Sequence, residues 1–148
     1  MNIFAGRSLH HIGFLVHDIA PVAEMLGGQL GCPMAAPFDL DINESVIEVG
    51  TPGSLRILLA RMGTTLFEFI QPLGDEPTVW ARALKTRGPG IHHFAFTQIE
   101  NYAEALPYVQ SLGFELTVAG HFGHDRWCYL EGCNMVLELA NGAGPPFP

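Results

Sequence analysis

The chain repeats itself, and that repeat limits what it can fold into more than any single motif does. "LHHIGF" at 9–14 returns as "IHHFAF" at 91–96, 82 positions later. The echo is longer than the paired histidines. His11 is followed 20 residues on by Gly31 in "QLGCP", and His93 is followed 20 residues on by Gly113 in "SLGFE". Between them lie "DIAPVAEMLGGQL" and "IENYAEALPYVQSL", helix-like stretches that open near Asp18 and Glu100. Each ends at Leu-Gly, where glycine can take the left-handed conformation that stops a helix. Pro107, inside the second stretch, is expected to kink or divide it.

The far ends of the halves echo as well. "LRILLARMGTTLFEFI" (55–70) lies over "DRWCYLEGCNMVLELA" (125–140) without a gap, at an offset of 70. Glu68 then falls on Glu138 and Arg56 on Arg126. Because the offset drops from 82 to 70, the first half carries 12 extra residues, placed most simply in "PFDLDINESVIEVGTPG". Each half reads strand, helix, then two or three strands, as two paired modules would.

A chain of 148 residues suits one domain built of two similar halves. Charge is lopsided, with 15 acidic residues against 7 basic and a net charge of -8. Nucleic acid and anionic membranes need clustered Lys and Arg, so neither is expected as a partner. Cys32, Cys128 and Cys133 form no CxxC pair and suit reduced thiols in the cytosol. The first residues lack the apolar core of a secretory signal, and no apolar run approaches the ~20 residues that span a bilayer. The expected location is the cytoplasm.

Strand alternation singles out four residues. In "HHIGFLV", His11 shares a face with Gly13 and Leu15, while Ile12, Phe14 and Val16 share the other with His10. In "HHFAF", His93 shares a face with Ala95. The bulky apolar faces can pack on the helices of their own halves. The opposite faces set each histidine beside a very small neighbour, which leaves open space next to an imidazole. Phe67 and Phe69 flank Glu68, and Leu137 and Leu139 flank Glu138, so each carboxylate points away from its apolar neighbours. A carboxylate there is costly to bury unless something positive meets it. A lone strand histidine is more often structural than a ligand, and a lone strand glutamate more often faces solvent. Four such residues in matched register are what one divalent metal requires. By the same weighing, His10 and His92 are read as structural. His121 and His124 in "GHFGHDRW" are read as loop residues that could line a pocket.

"HHIGFLVHDI", "LFEFIQPL", "GPGIHHFAF" and "VLELA", in that order, resemble the vicinal oxygen chelate superfamily of glyoxalases, bleomycin-resistance proteins and ring-cleaving dioxygenases. Within it they are most similar to the methylmalonyl-CoA epimerase and glyoxalase-like branch. The resemblance spans about residues 8 to 140 and implies an α+β fold. Two paired βαβββ modules, about 8–73 and 90–140 with a tail at 141–148, would form a curled mixed sheet around a metal site. Carried over position by position, the metal ligands fall on His11, Glu68, His93 and Glu138. The ion would be Co, Mn, Ni, Zn or Fe.

The resemblance also implies an isomerase or epimerase acting beside a carbonyl, through a metal-bound enolate, on an acyl-CoA or similar thioester. Glu138 is the expected base. A second acid found in some relatives falls on Ile57 here, which leaves Glu44 or Glu48 of the neighbouring strand, with Glu48 the expected catalytic partner. Arg56, Arg61, Arg87 and Arg126 could meet CoA, the matched pair Arg56 and Arg126 foremost. A lactoylglutathione-lyase-like isomerase would use the same ligands. A non-catalytic resistance protein that sequesters a small molecule is the alternative from another class. The expected assembly is a homodimer.

Overall fold

The computed structural model describes residues 2–145 and 147; Met1 and, in the tail, Pro146 and Pro148 lie outside the described residues. Nine strands form one sheet: β1 (His11–Leu15), β2 (Phe38–Ile42), β3 (Ile47–Val49), β4 (Gly53–Met62), β5 (Thr65–Leu73), β6 (Gly90–Phe96), β7 (Glu115–Phe122), β8 (Asp125–Gly132) and β9 (Met135–Ala140). Their order is β2-β4-β5-β1-β6-β9-β8-β7-β3. The first half supplies β2-β4-β5-β1 and the second β6-β9-β8-β7. In each half the first strand runs parallel to the last, β1 beside β5 and β6 beside β9. The halves meet where β1 and β6 pair antiparallel.

The offset of 70 holds in the strand register. Leu59 lies across from Glu68 in β4/β5, and Tyr129 lies across from Glu138 in β8/β9. The 12 extra residues do more than lengthen the first half. They make β3, which leaves its own module and pairs with β7 of the other, at the opposite end of the sheet from β2. Only residues 43–46 separate β2 from β3. A chain covers at most ~3.6 Å per residue, so the two ends of the sheet come within about 18 Å of each other. The mixed α+β sheet is therefore curled, and its concave face holds a core that includes Leu55, Ile57, Ile70, Trp80 and Tyr129.

The first and last helices pack on the opposite, convex face. α1 (Ala20–Ala23) starts where the Asp18 carboxylate accepts a hydrogen bond from the Ala20 backbone N–H, and continues as a π-helical segment, Glu24–Gln29. Gly27 and Gly28 within that segment disfavour the regular α form. α3 (Tyr102–Ser111) buries Tyr102, Ala105 and Val109 on one stripe against Cys128, Leu130 and Leu139. Gly31 (φ +64°) and Gly113 (φ +92°) follow the two helices in the left-handed region, as the Leu-Gly endings predict. Of the two expected effects, Pro107 does not divide α3. The helix runs through it, and the missing N–H costs one bond to Ala103 in an element held by its buried stripe.

The connector holds a helix that the repeat does not announce. α2 (Val79–Arg87) is capped by the Thr78 hydroxyl, which accepts from the Ala81 N–H, and it drives Trp80 and Ala83 into the core. No helix among the described residues is long and apolar enough to cross a membrane.

Candidate metal centre

Register alone brings the four candidate ligands together. Parallel pairing sets Gly13 beside Glu68 and Ala95 beside Glu138. Antiparallel pairing sets His11 opposite Ala95 and Gly13 opposite His93. The small residues thus sit between the large ligands. A Cβ added at Gly13 would collide with the His93 ring, so this approach requires glycine.

The donor atoms converge. The His11 and His93 Nε2 atoms are 3.1 Å apart. From the Glu68 Oε2, the two Nε2 atoms lie at 3.4 and 3.5 Å; from the Glu138 Oε2, at 3.4 and 3.0 Å. All four donor atoms fall within 4.8 Å of one another. With ligand bonds of about 2.1 Å, neighbouring donors around one ion sit about 3.0 Å apart at a right angle and about 3.4 Å apart at a tetrahedral angle. The spacing fits a single first-row divalent ion, and two imidazoles with two carboxylates suit its chemistry.

A further histidine backs each ligand histidine. The His10 and His11 Nδ1 atoms are 2.8 Å apart, and those of His92 and His93 are 3.0 Å apart. With Nε2 facing the metal position, the Nδ1–H of each ligand ring donates to its neighbour, which fixes tautomer and ring plane. Simple alternation would send the neighbours to the other face. They escape it because His10 precedes β1, and because the β1/β6 register shifts between His93 and Ile91, leaving His92 in a bulge. Burial, with help from His93 and Arg87, lowers the His92 pKa to about 3. Burial and His11 also lower that of His10. Both rings are neutral near pH 7 and can accept.

Charge also ties the quartet together. Burial works against a charged His11, yet Glu68 and Glu138 push its pKa up to about 10. Burial would raise that of Glu138, but hydrogen bonds from His11 and His93 hold it well below the usual carboxylate range. The His93 ring stacks on Tyr129 at 4.8 Å, and Trp80 donates to the Tyr129 hydroxyl at 3.3 Å. Burial, together with Glu138 and Glu68, keeps that hydroxyl protonated.

Glu68 and Glu138 line a cavity of about 340 Å³ on the concave face of the sheet. Three of its wall residues, Trp80, Trp127 and Tyr129, were not among the sequence candidates. A signal for two of them was present. At offset 70, Trp127 and Tyr129 replace Ile57 and Leu59, on strand positions of the same parity that face the ligands.

The family model for the Glyoxalase/Bleomycin resistance protein/Dioxygenase superfamily matches residues 10–130. The chain belongs to this superfamily. Solved structures share the superfamily fold at low identity. A hypothetical protein from Bacillus halodurans is 20% identical, with a TM-score of 0.70 over 96% of this chain and 99% of that one. Methylmalonyl-CoA epimerase from Mycobacterium tuberculosis is 21% identical, with a TM-score of 0.64 over 89% of this chain and 85% of that one. A Streptomyces coelicolor methylmalonyl-CoA epimerase variant in complex with 2-nitronate-propionyl-CoA is 20% identical, with a TM-score of 0.64 over 95% and 98%. No match was found among curated proteins.

The other expected site residues of this superfamily member lie away from the ligands. Glu48, on β3, is outside the cavity lining and sits 3.5 Å from the Arg126 guanidinium. Glu44 is exposed in the turn between β2 and β3. Arg126 lines the cavity rim, whereas Arg56 forms a two-point ion pair with Asp39, at 2.7 and 3.0 Å, outside it. Arg61 stacks on Phe147 and Arg87 lies 3.7 Å from Glu131. His121 lies on β7 rather than in a loop, because the strand continues to Phe122; His124 lies in the following turn. Neither lines this cavity.

Proposed function

We propose that the chain is a metal-dependent enzyme that moves a proton on the carbon beside a carbonyl, with an acyl thioester carried on CoA as the leading substrate class. One observation carries this reading: two imidazoles and two carboxylates, one pair from each half, converge, and the two carboxylates line a cavity large enough for a small acyl group. His11, Glu68, His93 and Glu138 would hold a divalent ion. Such an ion, when bound, polarises a carbonyl and makes the neighbouring C–H more acidic.

The chain's own groups do the rest. Glu138 is ionised at neutral pH and reaches the cavity, so it is the candidate to take the proton. Tyr129 and Trp80 form a dry wall beside it, which keeps solvent from competing for the carbanion. Glu48 is assigned no proton transfer, because its carboxylate faces Arg126 outside the cavity. A second base would be expected near Ile57, which is a fully buried apolar wall residue. That favours exchange or isomerisation by one base, of the lactoylglutathione-lyase kind, over epimerisation by two.

The test joins metal content to chemistry. Dialysed protein is expected to hold about one ion per chain, and His93→Ala to lose most of it. Run in heavy water with a panel of acyl-CoA thioesters that includes methylmalonyl-CoA, the loaded protein is expected to exchange the proton beside the carbonyl of at least one of them for deuterium. Glu138→Gln is expected to abolish exchange even where metal remains, because an amide cannot accept that proton. No exchange across acyl-CoA and glutathione thiohemiacetal substrates, despite a full metal site, would overturn the reading in favour of a binding protein.

A further inference from the structure

The charges around the cavity say what kind of acyl group it can take. Glu68 and Glu138 stand at the floor, and Asp125 and Arg126 at the rim. No other charged residue lines the cavity among the described residues. A divalent ion would be neutralised by its two carboxylates, and Arg126 is offset by Asp125 and drawn toward Glu48. The remaining six basic side chains of the sequence do not line it. A second carboxylate on the substrate would therefore enter a site with no surplus positive charge, in a molecule of net charge -8.

The walls are correspondingly apolar. Leu55, Ile57 and Ile70 form an aliphatic side, and Trp80, Trp127 and Tyr129 an aromatic one. Phe38 and Phe122, both large and exposed, extend this lining at the cavity mouth. The two halves differ here: second-half Trp127 and Tyr129 stand where the first half has Ile57 and Leu59. A cavity of about 150 Å³ lined by hydrocarbon can hold benzene. At about 340 Å³, this one has room for a ring together with the carbonyl and the carbon between them.

We infer that the site selects an acyl group that is itself uncharged and whose reacting carbon bears an aryl or branched alkyl substituent, and discriminates against a carboxylate at that position. The inference deepens the proton-transfer reading and takes from it only that a carbonyl sits at the metal. The chain's two tryptophans both line the cavity, so intrinsic fluorescence reports occupancy independently of turnover.

The metal-loaded protein would be titrated with S-ethyl 2-phenylpropanethioate and, separately, with the S-ethyl monothioester of methylmalonate, which carries a carboxylate in place of the ring. The expected result is a saturable fluorescence change with the phenyl compound and at least ten-fold weaker binding of the carboxylate compound. Equal or tighter binding of the carboxylate compound would overturn the inference, as would the absence of any saturable change with the phenyl compound. Deuterium exchange on the same two compounds separates this inference from the reading beneath it. Tight binding of the phenyl compound without exchange leaves the selectivity standing and removes the proton transfer. Exchange confined to the carboxylate compound does the reverse.

Discussion

Gly13 is the residue on which the site turns. Its neighbours on both sides are strands, β5 and β6, so β1 cannot retreat when a side chain is added. Gly13→Ala is expected to drive the His93 ring from its place against Tyr129 and to cost about 1–3 kcal/mol of overpacking. Thermal denaturation and metal analysis of the variant would show both losses; unchanged metal binding would mean that the ring has another home. His11 makes a second prediction. Without metal it is held charged between two carboxylates, with its pKa raised from the ordinary value to about 10. A raised folded-state value contributes stability below the unfolded pKa of about 6.5 and loses it as pH climbs through the folded one. The metal-free protein is therefore expected to lose melting temperature between pH 7 and 10. Glu138, depressed by its histidine partners, adds stability that fades as pH falls through and below the ordinary carboxylate range. Since a metal ligand must be deprotonated, loading metal near pH 7 is expected to release about one proton from His11 per ion, measurable in weak buffer.

Among the strands, β3 is the shortest and decides the most topology. It has three residues and pairs on one side only, with an irregular register against β7. β1 and β6, by contrast, are paired on both sides at the centre of the sheet. Local opening costs least where few buried contacts resist it. Amide hydrogen exchange is therefore expected to be fastest in β3 and along the outer edge of β2, and slowest in β1 and β6. Equal protection throughout would mean that the curled sheet opens only as a unit. The Trp80 side chain, carried by α2, is the other lever at this scale. Trp80→Phe removes the N–H given to Tyr129 together with the five-membered part of a buried indole, and is expected to cost more than the about 1 kcal/mol of a lost hydrogen bond in denaturant unfolding.

At the scale of the molecule, the candidate metal site lies on the junction of the two halves, with one histidine and one glutamate from each. Bound metal would therefore tie the halves together as well as equip the site. A ligand present at about 100 times its dissociation constant stabilises the fold by about 2.7 kcal/mol. For a chain of about 150 residues that corresponds to roughly 5–10 °C in melting temperature. Chelation is expected to lower the melting temperature by that amount, and returning the metal to restore it. An unchanged curve would show that the four residues hold no ion in solution.

That His11, Glu68, His93 and Glu138 gather was legible in the chain alone, because two periodicities coincide there. Alternation put His11, Glu68, His93 and Glu138 on faces of their strands away from bulky neighbours, and duplication put them in matched places. Helix ends at Gly31 and Gly113 were legible for the same local reason, a conformation that glycine adopts freely. What the chain alone could not disclose depends on partners distant in sequence. Whether Glu48 meets a substrate or Arg126 turns on β3 crossing to the far edge of the sheet, a pairing that no local pattern encodes. The contact of His92 with His93 depends on a bulge that breaks alternation. The apolar cavity joins side chains from both halves and from α2, so its lining emerges only from the tertiary structure. Short-range periodicity thus determined which residues gather, and long-range strand pairing decided what they face.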